Sequence, residues 1–258
     1  MLLRKLLMGL NEYKNLLTIA ISIAKEAGNT IRMHLNEFRK IKLEFKRDVK
    51  IEADDKLEAV IIKRLWDETK YPILSEESGL LRDSDDTNFR WIIDPLDGSL
   101  NFSRGIPLCC ISIAFWDGMT PILGVVYDFN NDEMFYGIVG ECARLNNVPI
   151  KVSGIDEKSK AVLCTGFPVR TDFSTGKVQE FVKNIKKFKK IRLLGTAALS
   201  LCYVACGRAD SYQENNIKIW DVAAGLAITK AAGGTIHIEF SAEDKIINVR
   251  AASSNLIL

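Results

Sequence analysis

The stretch from Trp91 to Ser99 (Trp-Ile-Ile-Asp-Pro-Leu-Asp-Gly-Ser) constrains the fold of this chain more than any other part of its sequence. The apolar residues at its start predict a short buried strand that ends at Asp94. Pro95 and Gly98 predict a tight turn directly afterwards, which brings Asp94 and Asp97 towards one point. Asp-Pro and Asp-Gly are also common turn dipeptides, so a plain surface loop is the alternative interpretation.

Two further acidic positions favour a binding site over a plain loop. Glu76 follows the apolar pair Ile73-Leu74, and Asp221 follows Trp220 at the start of an apolar segment. On its own, Asp221 could simply be a helix N-cap. Taken together, the carboxylates are hard oxygen ligands of the kind that Mg²⁺ prefers. The free N–H groups of the predicted turn could in addition face a phosphate.

Apolar periodicity predicts mixed secondary structure along the whole chain. Helical spacing covers 13–38, 57–66, 176–188, 196–207 and 221–232, and strand patterns cover 89–93, 111–116, 122–129, 134–139, 161–165, 191–194 and 235–240. This order predicts an α+β fold with a layered αβαβα arrangement. We expect an N-terminal half over 1–152 and a C-terminal half over 153–258, joined in one globular unit.

Bulk composition excludes several classes of protein. The chain has 258 residues, 47% of them apolar, and its net charge of +2 gives no reason to expect nucleic acid or an anionic membrane as a partner. It contains no run of eighteen apolar residues that would predict a membrane span. The six cysteines lie in apolar stretches without a CxxC pair, which is typical of reduced thiols in a cytoplasmic protein.

Three ordered motifs carry a resemblance to a known family. Glu76-Glu77-Ser78, Asp94-Pro95-Leu96-Asp97-Gly98-Ser99 and Trp220-Asp221-Val222-Ala223-Ala224-Gly225 resemble the successive motifs of the inositol monophosphatase family, a family of lithium-sensitive, Mg²⁺-dependent phosphatases. The resemblance extends from about Tyr13 to Gly234. It also matches the family at Lys46, Asp54, Gly195-Thr196-Ala197 and Glu214.

The resemblance implies roles for individual residues. One Mg²⁺ would be bound by Glu76, Asp94 and the Leu96 carbonyl, and a second by Asp94, Asp97 and Asp221. Glu76 is also expected to act in catalysis and to help hold a third ion. Ser99 and Asp54 would orient and deprotonate the attacking water. The substrate-binding residues implied are Asp97, Gly98, Ser99, Gly195, Thr196, Ala197, Glu214 and Asp221.

The family also implies a substrate and an assembly. We expect a small-molecule phosphate ester, above all inositol monophosphate, and a homodimer. Fructose 1,6-bisphosphate and 3′-phosphoadenosine 5′-phosphate are the alternatives within the superfamily. The sequence departs from the family at Ser99, where threonine is usual, and at Ile51 and Ala53, which replace threonines. The hydroxyl survives at Ser99, so the expected role of orienting water survives with it.

Two readings outside this family remain open. Cys164 and Arg170 match the loose cysteine-x5-arginine pattern of thiol-based phosphatases, in which a thiolate attacks phosphorus. Pro168 removes one of the backbone amides that such a loop needs. The second alternative is a non-catalytic metal-binding protein on a phosphatase fold. His34 and His237 are the only histidines, which argues against a Ser-His-Asp hydrolase.

Overall fold

The computed structural model describes residues 9–45, 49–83, 87–241, 245–253 and 256, so Lys46 lies outside the described residues. The helices are α1 (Leu10–Met33), α2 (Leu35–Phe38), α3 (Glu52–Thr69), α4 (Ser99–Ser103), α5 (Thr175–Ile185), α6 (Ala197–Ala205) and α7 (Ile219–Ala231). The strands are β1 (Ile41–Glu44), β2 (Val49–Ile51), β3 (Ile73–Ser75), β4 (Gly79–Leu81), β5 (Phe89–Asp97), β6 (Cys110–Asp117), β7 (Thr120–Asp128), β8 (Glu133–Ile138), β9 (Ala143–Leu145), β10 (Val148–Ile150), β11 (Val162–Thr165), β12 (Lys190–Arg192), β13 (Ser211–Lys218), β14 (Thr235–Phe240) and β15 (Ile246–Ala252).

An eight-stranded sheet forms the larger layer, in the order β10-β9-β8-β7-β6-β5-β3-β4. Strands β5 to β10 form an antiparallel meander, which short turns such as Asp117-Gly118 allow. Strand β3 instead runs parallel to β5, with Ser75 beside Ile93. The carboxyl end of β3 therefore lies beside Ile93, directly before Asp94.

Alternate side chains of this sheet fill two separate cores. Trp91 and Ile93 face one core, where α1 and α3 pack against the sheet. Ile92 faces the other core, where α6 and α7 pack against the opposite face of the sheet. This period of two is what a strand buried on both faces requires. Helix α7 approaches β7 so closely that a Cβ on Gly124 would lie 2.3 Å from the Ala224 carbonyl oxygen.

A second, five-stranded sheet has the order β12-β11-β13-β15-β14 and lies on the far side of α6 and α7. The connection from β11 to β12 runs through α5, and that from β12 to β13 runs back over β11 through α6. Because parallel crossovers are right-handed, the two helices lie on opposite faces of the sheet. Helix α6 faces the large sheet, so α5 forms the outer layer. The αβαβα sandwich that the sequence predicts is confirmed.

Several elements differ from the sequence pattern. The helix predicted over 13–38 is interrupted at His34, whose φ of −121° leaves the helical region. Its ring stacks on Phe38 at 5.4 Å. Strand β13 was not predicted, because Ser-Tyr-Gln-Glu-Asn-Asn-Ile-Lys contains few apolar residues. None of the helices in the described part of the chain combines the length and apolar character that crossing a membrane requires.

The division near residue 153 stays a prediction. The strands of the large sheet end at Ile150 and those of the small sheet begin at Val162. Helices α6 and α7, however, pack against both sheets.

Candidate active site

The central carboxylates lie in a bulge near the end of β5. Asp94 is opposite Ser112 and Asp97 is opposite Cys110, so three steps along β5 match two along β6. The extra residue bends the strand, and Pro95 suits that position because it has no N–H to donate to the sheet. Asp94 Oδ1 accepts a hydrogen bond from the Leu96 N–H at 3.0 Å. The predicted turn is therefore a bulge within the strand.

Gly98 follows the bulge and is the N-cap of α4. Its φ is +89°, a left-handed conformation that favours glycine. A Cβ here would also lie 2.7 Å from the Leu108 carbonyl oxygen. The chain therefore turns sharply enough to aim Ser99, the first residue of α4, back towards the carboxylates.

Asp97 joins the bulge to the N-terminus of α6. Its Oδ2 accepts hydrogen bonds from the Thr196 hydroxyl and, at 2.8 Å, from the Ala198 N–H. Thr196 is the N-cap of the helix and also accepts from the Leu199 N–H at 3.3 Å. Burial raises the pKa of Asp97, while these donors oppose that rise.

Three other carboxylates act on Asp94. Burial raises the pKa of Asp94 well above its usual value, and the charge of Glu76 raises it further. Asp97 and Asp221 act in the same direction. Asp221 lies in the first turn of α7, whereas Lys218 is the N-cap, so the N-cap alternative for Asp221 is wrong.

This carboxylate cluster fits a divalent cation by its chemistry. Among the described residues, no three His, Cys, Asp or Glu side chains already stand in the arrangement of a metal site. The donors are nevertheless carboxylate oxygens, and Asp94 and Asp97 are buried. Buried carboxylates that repel one another are stabilised by a cation. Hard oxygen donors of this type select Mg²⁺ over softer metals.

Ser99 and Asp54 meet at the edge of the cluster. The Ser99 hydroxyl lies 3.1 Å from Asp54 Oδ1 and 2.9 Å from the Leu96 carbonyl oxygen. Asp54 Oδ2 accepts from the Ile51 N–H at 2.8 Å, which fixes the carboxylate at the start of α3. Burial raises the pKa of Asp54 to about 7, while the Ile51 and Ser99 donors lower it.

Glu76 and its neighbour Glu77 have different partners. Glu76 follows the end of β3, and its N–H donates to the Ile93 carbonyl oxygen at 3.3 Å. Glu77 instead pairs with Lys50 at 2.5 Å, and Lys50 also contacts Asp55 at 2.7 Å. Of the two glutamates, Glu76 faces the cavity.

A cavity of about 450 Å³ opens in front of these residues. It brings together, as lining residues, nearly all the predicted site positions: Glu76, Asp94, Leu96, Asp97, Gly98, Ser99, Gly195, Thr196, Ala197, Glu214 and Asp221. Asp54 reaches it through Ser99. Glu214 is half-buried and packs over Gly166, where a Cβ would come within 2.5 Å of its Oε1. Burial raises the pKa of Glu214 to about 8.

Two cationic side chains of the cavity lie outside the site that the family resemblance implies, and sequence reasoning missed one of them, Lys218. Arg170 and Lys218 both line it, and the Lys218 ammonium lies 5.3 Å from the centre of the Trp220 ring. Lys218 directly precedes α7 at the end of the unpredicted strand β13. No local sequence signal marks it, because it becomes a cavity residue only through this junction of strand and helix.

The geometry argues against Cys164 as a nucleophile. Cys164 is buried within β11, and burial raises the pKa of its thiol to about 12. A thiol-based phosphatase needs a lowered pKa and an accessible sulfur. Cys164 is also absent from the described lining of the cavity, although Arg170 is part of it.

Comparison with known proteins gives consistent relatives. The profile of the inositol monophosphatase family matches residues 12–249. Inositol monophosphatase 1 of Solanum lycopersicum is 37% identical, over 93% of this chain and 90% of the relative. Nus factor SuhB of Xylella fastidiosa is 36% identical, over 86% and 82% respectively. The structure of inositol monophosphatase from Anabaena superposes with a TM-score of 0.80 at 32% identity, covering 94% of this chain and 92% of that one.

Proposed function

Because this chain belongs to the inositol monophosphatase family, we propose that it is a Mg²⁺-dependent phosphatase for a phosphate monoester of a small polyol or sugar, with inositol monophosphate as the preferred substrate. One observation carries the proposal. Asp94, the three carboxylates that act on it and Ser99, whose hydroxyl contacts Asp54, border one cavity. A phosphoryl group entering this cavity would meet both the cation ligands and a hydroxyl that can position water.

Two or three Mg²⁺ ions would be held by the carboxylate cluster. Glu76, Asp94 and the Leu96 carbonyl would hold one, and Asp94, Asp97 and Asp221 a second. Glu76 would also contribute to a third. When bound, Mg²⁺ would neutralise phosphoryl oxygens and lower the pKa of water. The protein's part is to keep these oxygens fixed, which the Leu96 N–H does for Asp94 and the Thr196 cap does for Asp97.

Ser99 and Asp54 would handle the proton of the attacking water. A hydroxyl that donates to a carboxylate leaves its lone pairs directed towards other donors. Water could then donate to Ser99 Oγ, while Asp54 accepts the Ser99 proton. A carboxylate whose pKa is about 7 is well matched to act as a general base near neutral pH.

The remaining lining residues would bind the phosphate and the organic group. The backbone at Gly98 and Ser99 begins α4 and would face phosphate oxygens. Substrate hydroxyls would be recognised by Asp97, Glu214, Asp221 and the segment Gly195-Thr196-Ala197. That segment is held in place by Asn101, whose amide donates to the Leu194 carbonyl oxygen at 2.8 Å.

A bisphosphate is the second candidate substrate, and the two cations of the cavity favour it. Arg170 and Lys218 could neutralise a second anionic group, in addition to the phosphate that meets the carboxylate cluster. Fructose 1,6-bisphosphate carries such a group and inositol monophosphate does not. Only the bisphosphate would therefore need Arg170 and Lys218 to bind a second phosphate.

We extend the proposal to lithium inhibition, a homodimeric assembly and a cytoplasmic location, each by analogy with the family. Some relatives carry the name Nus factor SuhB, so phosphatase activity has to be measured for this chain itself.

The test is a substrate panel with Mg²⁺ in the presence and absence of Li⁺. It contains inositol 1-phosphate, fructose 1,6-bisphosphate and 3′-phosphoadenosine 5′-phosphate, and it measures released phosphate. We expect the highest kcat/KM for inositol 1-phosphate and loss of all activity with a chelator. Activity that persists after complete metal removal would exclude the metal-based mechanism. Turnover of none of the three would exclude the substrate class.

A further inference from the structure

Glu58 is a buried acidic residue that the proposed chemistry does not use. It lies on α3, exposes only 6% of its surface and points towards the segment that follows β3. Burying a carboxylate is costly unless donors compensate for the lost water. Three donors do so here, and they come from two residues, Ser75 and Ser78.

These two serines flank the glutamates of the first motif. The Ser75 hydroxyl donates to Glu58 Oε1. The Ser78 N–H also donates to Oε1, at 2.9 Å, and its hydroxyl donates to Oε2 at 2.6 Å. One carboxylate therefore holds the chain on both sides of Glu76. A carboxylate can accept several hydrogen bonds at once, which no neutral side chain of this size does as well.

The same helix also carries Asp54. Asp54 and Glu58 are four residues apart on α3, so they lie on one face, one turn from each other. Asp54 contacts Ser99 at the start of α4, while Glu58 contacts the segment around Glu76. Helix α3 thus fixes two parts of the cavity wall relative to each other.

We propose that Glu58 is a positioning residue that holds the Ser75–Ser78 segment and thereby places Glu76 for cation binding. The cation-binding part of this inference rests on the proposed function, while the effect on the segment does not. Groups that orient a metal ligand commonly contribute 10- to 100-fold to metal affinity. The role also predicts which replacement succeeds: glutamine at 58 keeps one oxygen for Ser75 and the Ser78 N–H, and its amide can donate to the Ser78 hydroxyl.

The experiment compares Glu58→Ala, Glu58→Gln and Ser78→Ala with the matched control Glu68→Ala. Glu68 is on the same helix but pairs with Arg64 at the surface. Two readouts are made on full-length protein: calorimetric titration with Mg²⁺ alone, and hydrogen–deuterium exchange of residues 75–79 without metal. We expect Glu58→Ala to weaken Mg²⁺ binding roughly 10- to 100-fold and to speed exchange at least about tenfold.

Glu58→Gln and Glu68→Ala should stay within about threefold of the unmodified protein in both readouts, and Ser78→Ala should fall between the extremes. Unchanged exchange and Mg²⁺ affinity in folded Glu58→Ala would overturn the proposal. Should that variant not fold, unchanged behaviour of Ser78→Ala would overturn it equally. Faster exchange in Glu58→Ala, together with an unmodified protein that binds no Mg²⁺, would support the role of Glu58 in holding the segment but contradict the proposed function.

Discussion

The Ser99 hydroxyl lies 3.1 Å from Asp54 Oδ1 and links the start of α4 to the start of α3, across 45 positions of sequence. The same hydroxyl is within 2.9 Å of the Leu96 carbonyl oxygen, itself an expected metal ligand. Ser99 therefore stands between the residue that would accept a proton and the residues that would bind the cation. Its backbone position depends on the left-handed turn at Gly98.

Replacing Ser99 by alanine should lower kcat by roughly 100-fold or more, because the proton path from water to Asp54 is lost. Ser99→Thr keeps the hydroxyl and should stay within about fivefold of the unmodified enzyme. Steady-state kinetics on inositol 1-phosphate at saturating Mg²⁺ would measure both. Ser103→Ala is the control, since Ser103 is on the same short helix and its hydroxyl donates to the Leu100 carbonyl oxygen at 2.8 Å. A kcat for Ser99→Ala equal to that of Ser99→Thr would contradict the role of the Ser99 hydroxyl in catalysis.

Sequence reasoning predicted the layered fold because periodicity is a local property that burial on a sheet or helix face enforces. The apolar run around Ile92 predicts a strand, and its side chains are buried alternately in the two cores. Strand β13 escaped prediction because its pairing with β11 and β15, rather than its own composition, makes it a strand. Propensity is weak where tertiary pairing decides.

The candidate site shows the same division. Acidic residues at the ends of apolar segments could be found from the sequence, since their positions follow from the elements. Lys218 and Glu58 could not, because one becomes a cavity residue through the strand–helix junction and the other through donors that are 17 and 20 positions away. Such contacts are properties of the packed chain.

Asp94→Asn should separate activity from stability. The carboxamide keeps an oxygen for the Leu96 N–H but removes the buried carboxylate that Glu76, Asp97 and Asp221 repel. Activity should fall at least about 100-fold, since loss of a group that only orients a metal ligand already costs about 10- to 100-fold. The metal-free variant should be more stable by about 1–3 kcal/mol, measured by urea unfolding with a chelator present.

Mg²⁺ provides the second half of that test. A ligand at 100 times its dissociation constant stabilises a folded protein by about 2.7 kcal/mol, so Mg²⁺ should raise the unfolding midpoint of the unmodified protein and leave Asp94→Asn nearly unchanged. Asp67→Asn, on the exposed side of α3 beside Lys63, is the control and should respond like the unmodified protein. A full response of Asp94→Asn to Mg²⁺ would show that Asp94 is not a ligand.

Glu214 should make the metal-free protein less stable as the pH rises. Its pKa is about 8 in the folded state, above the value of 4.5 for an unperturbed glutamate. Between pH 4.5 and 8 the folded state therefore holds a proton that the unfolded state has released. The contribution of this proton to the free energy of unfolding is complete below pH 4.5 and is lost as the pH rises to 8. Because the side chain is only half-buried, we expect a loss of about 1–3 kcal/mol between pH 5 and 8. Urea unfolding of Glu214→Gln across this range should show a correspondingly flatter profile; an identical slope would contradict the assignment.

Cys164→Ser should leave phosphatase activity within about threefold of the unmodified enzyme. The thiol is buried in β11 and its pKa of about 12 leaves almost no thiolate at neutral pH. Iodoacetamide should likewise fail to inactivate the folded enzyme through this residue. The measurement is kcat/KM on inositol 1-phosphate, with peptide mapping of alkylated cysteines. Loss of activity in a folded Cys164→Ser variant would restore the thiol-based mechanism.

Lys218→Met should distinguish a monophosphatase from a bisphosphatase. The ammonium group lies on the cavity wall, 5.3 Å from the centre of the Trp220 ring, where it could contact a second phosphate. Methionine keeps the apolar stem and its packing on the ring while it removes the charge. If fructose 1,6-bisphosphate binds through this residue, its kcat/KM should fall by about tenfold, the usual worth of one charge-assisted hydrogen bond. The value for inositol 1-phosphate should stay within about twofold. Lys230→Met, near the other end of α7, should change neither. A fall for the monophosphate alone would mean that Lys218 serves the reacting phosphate instead.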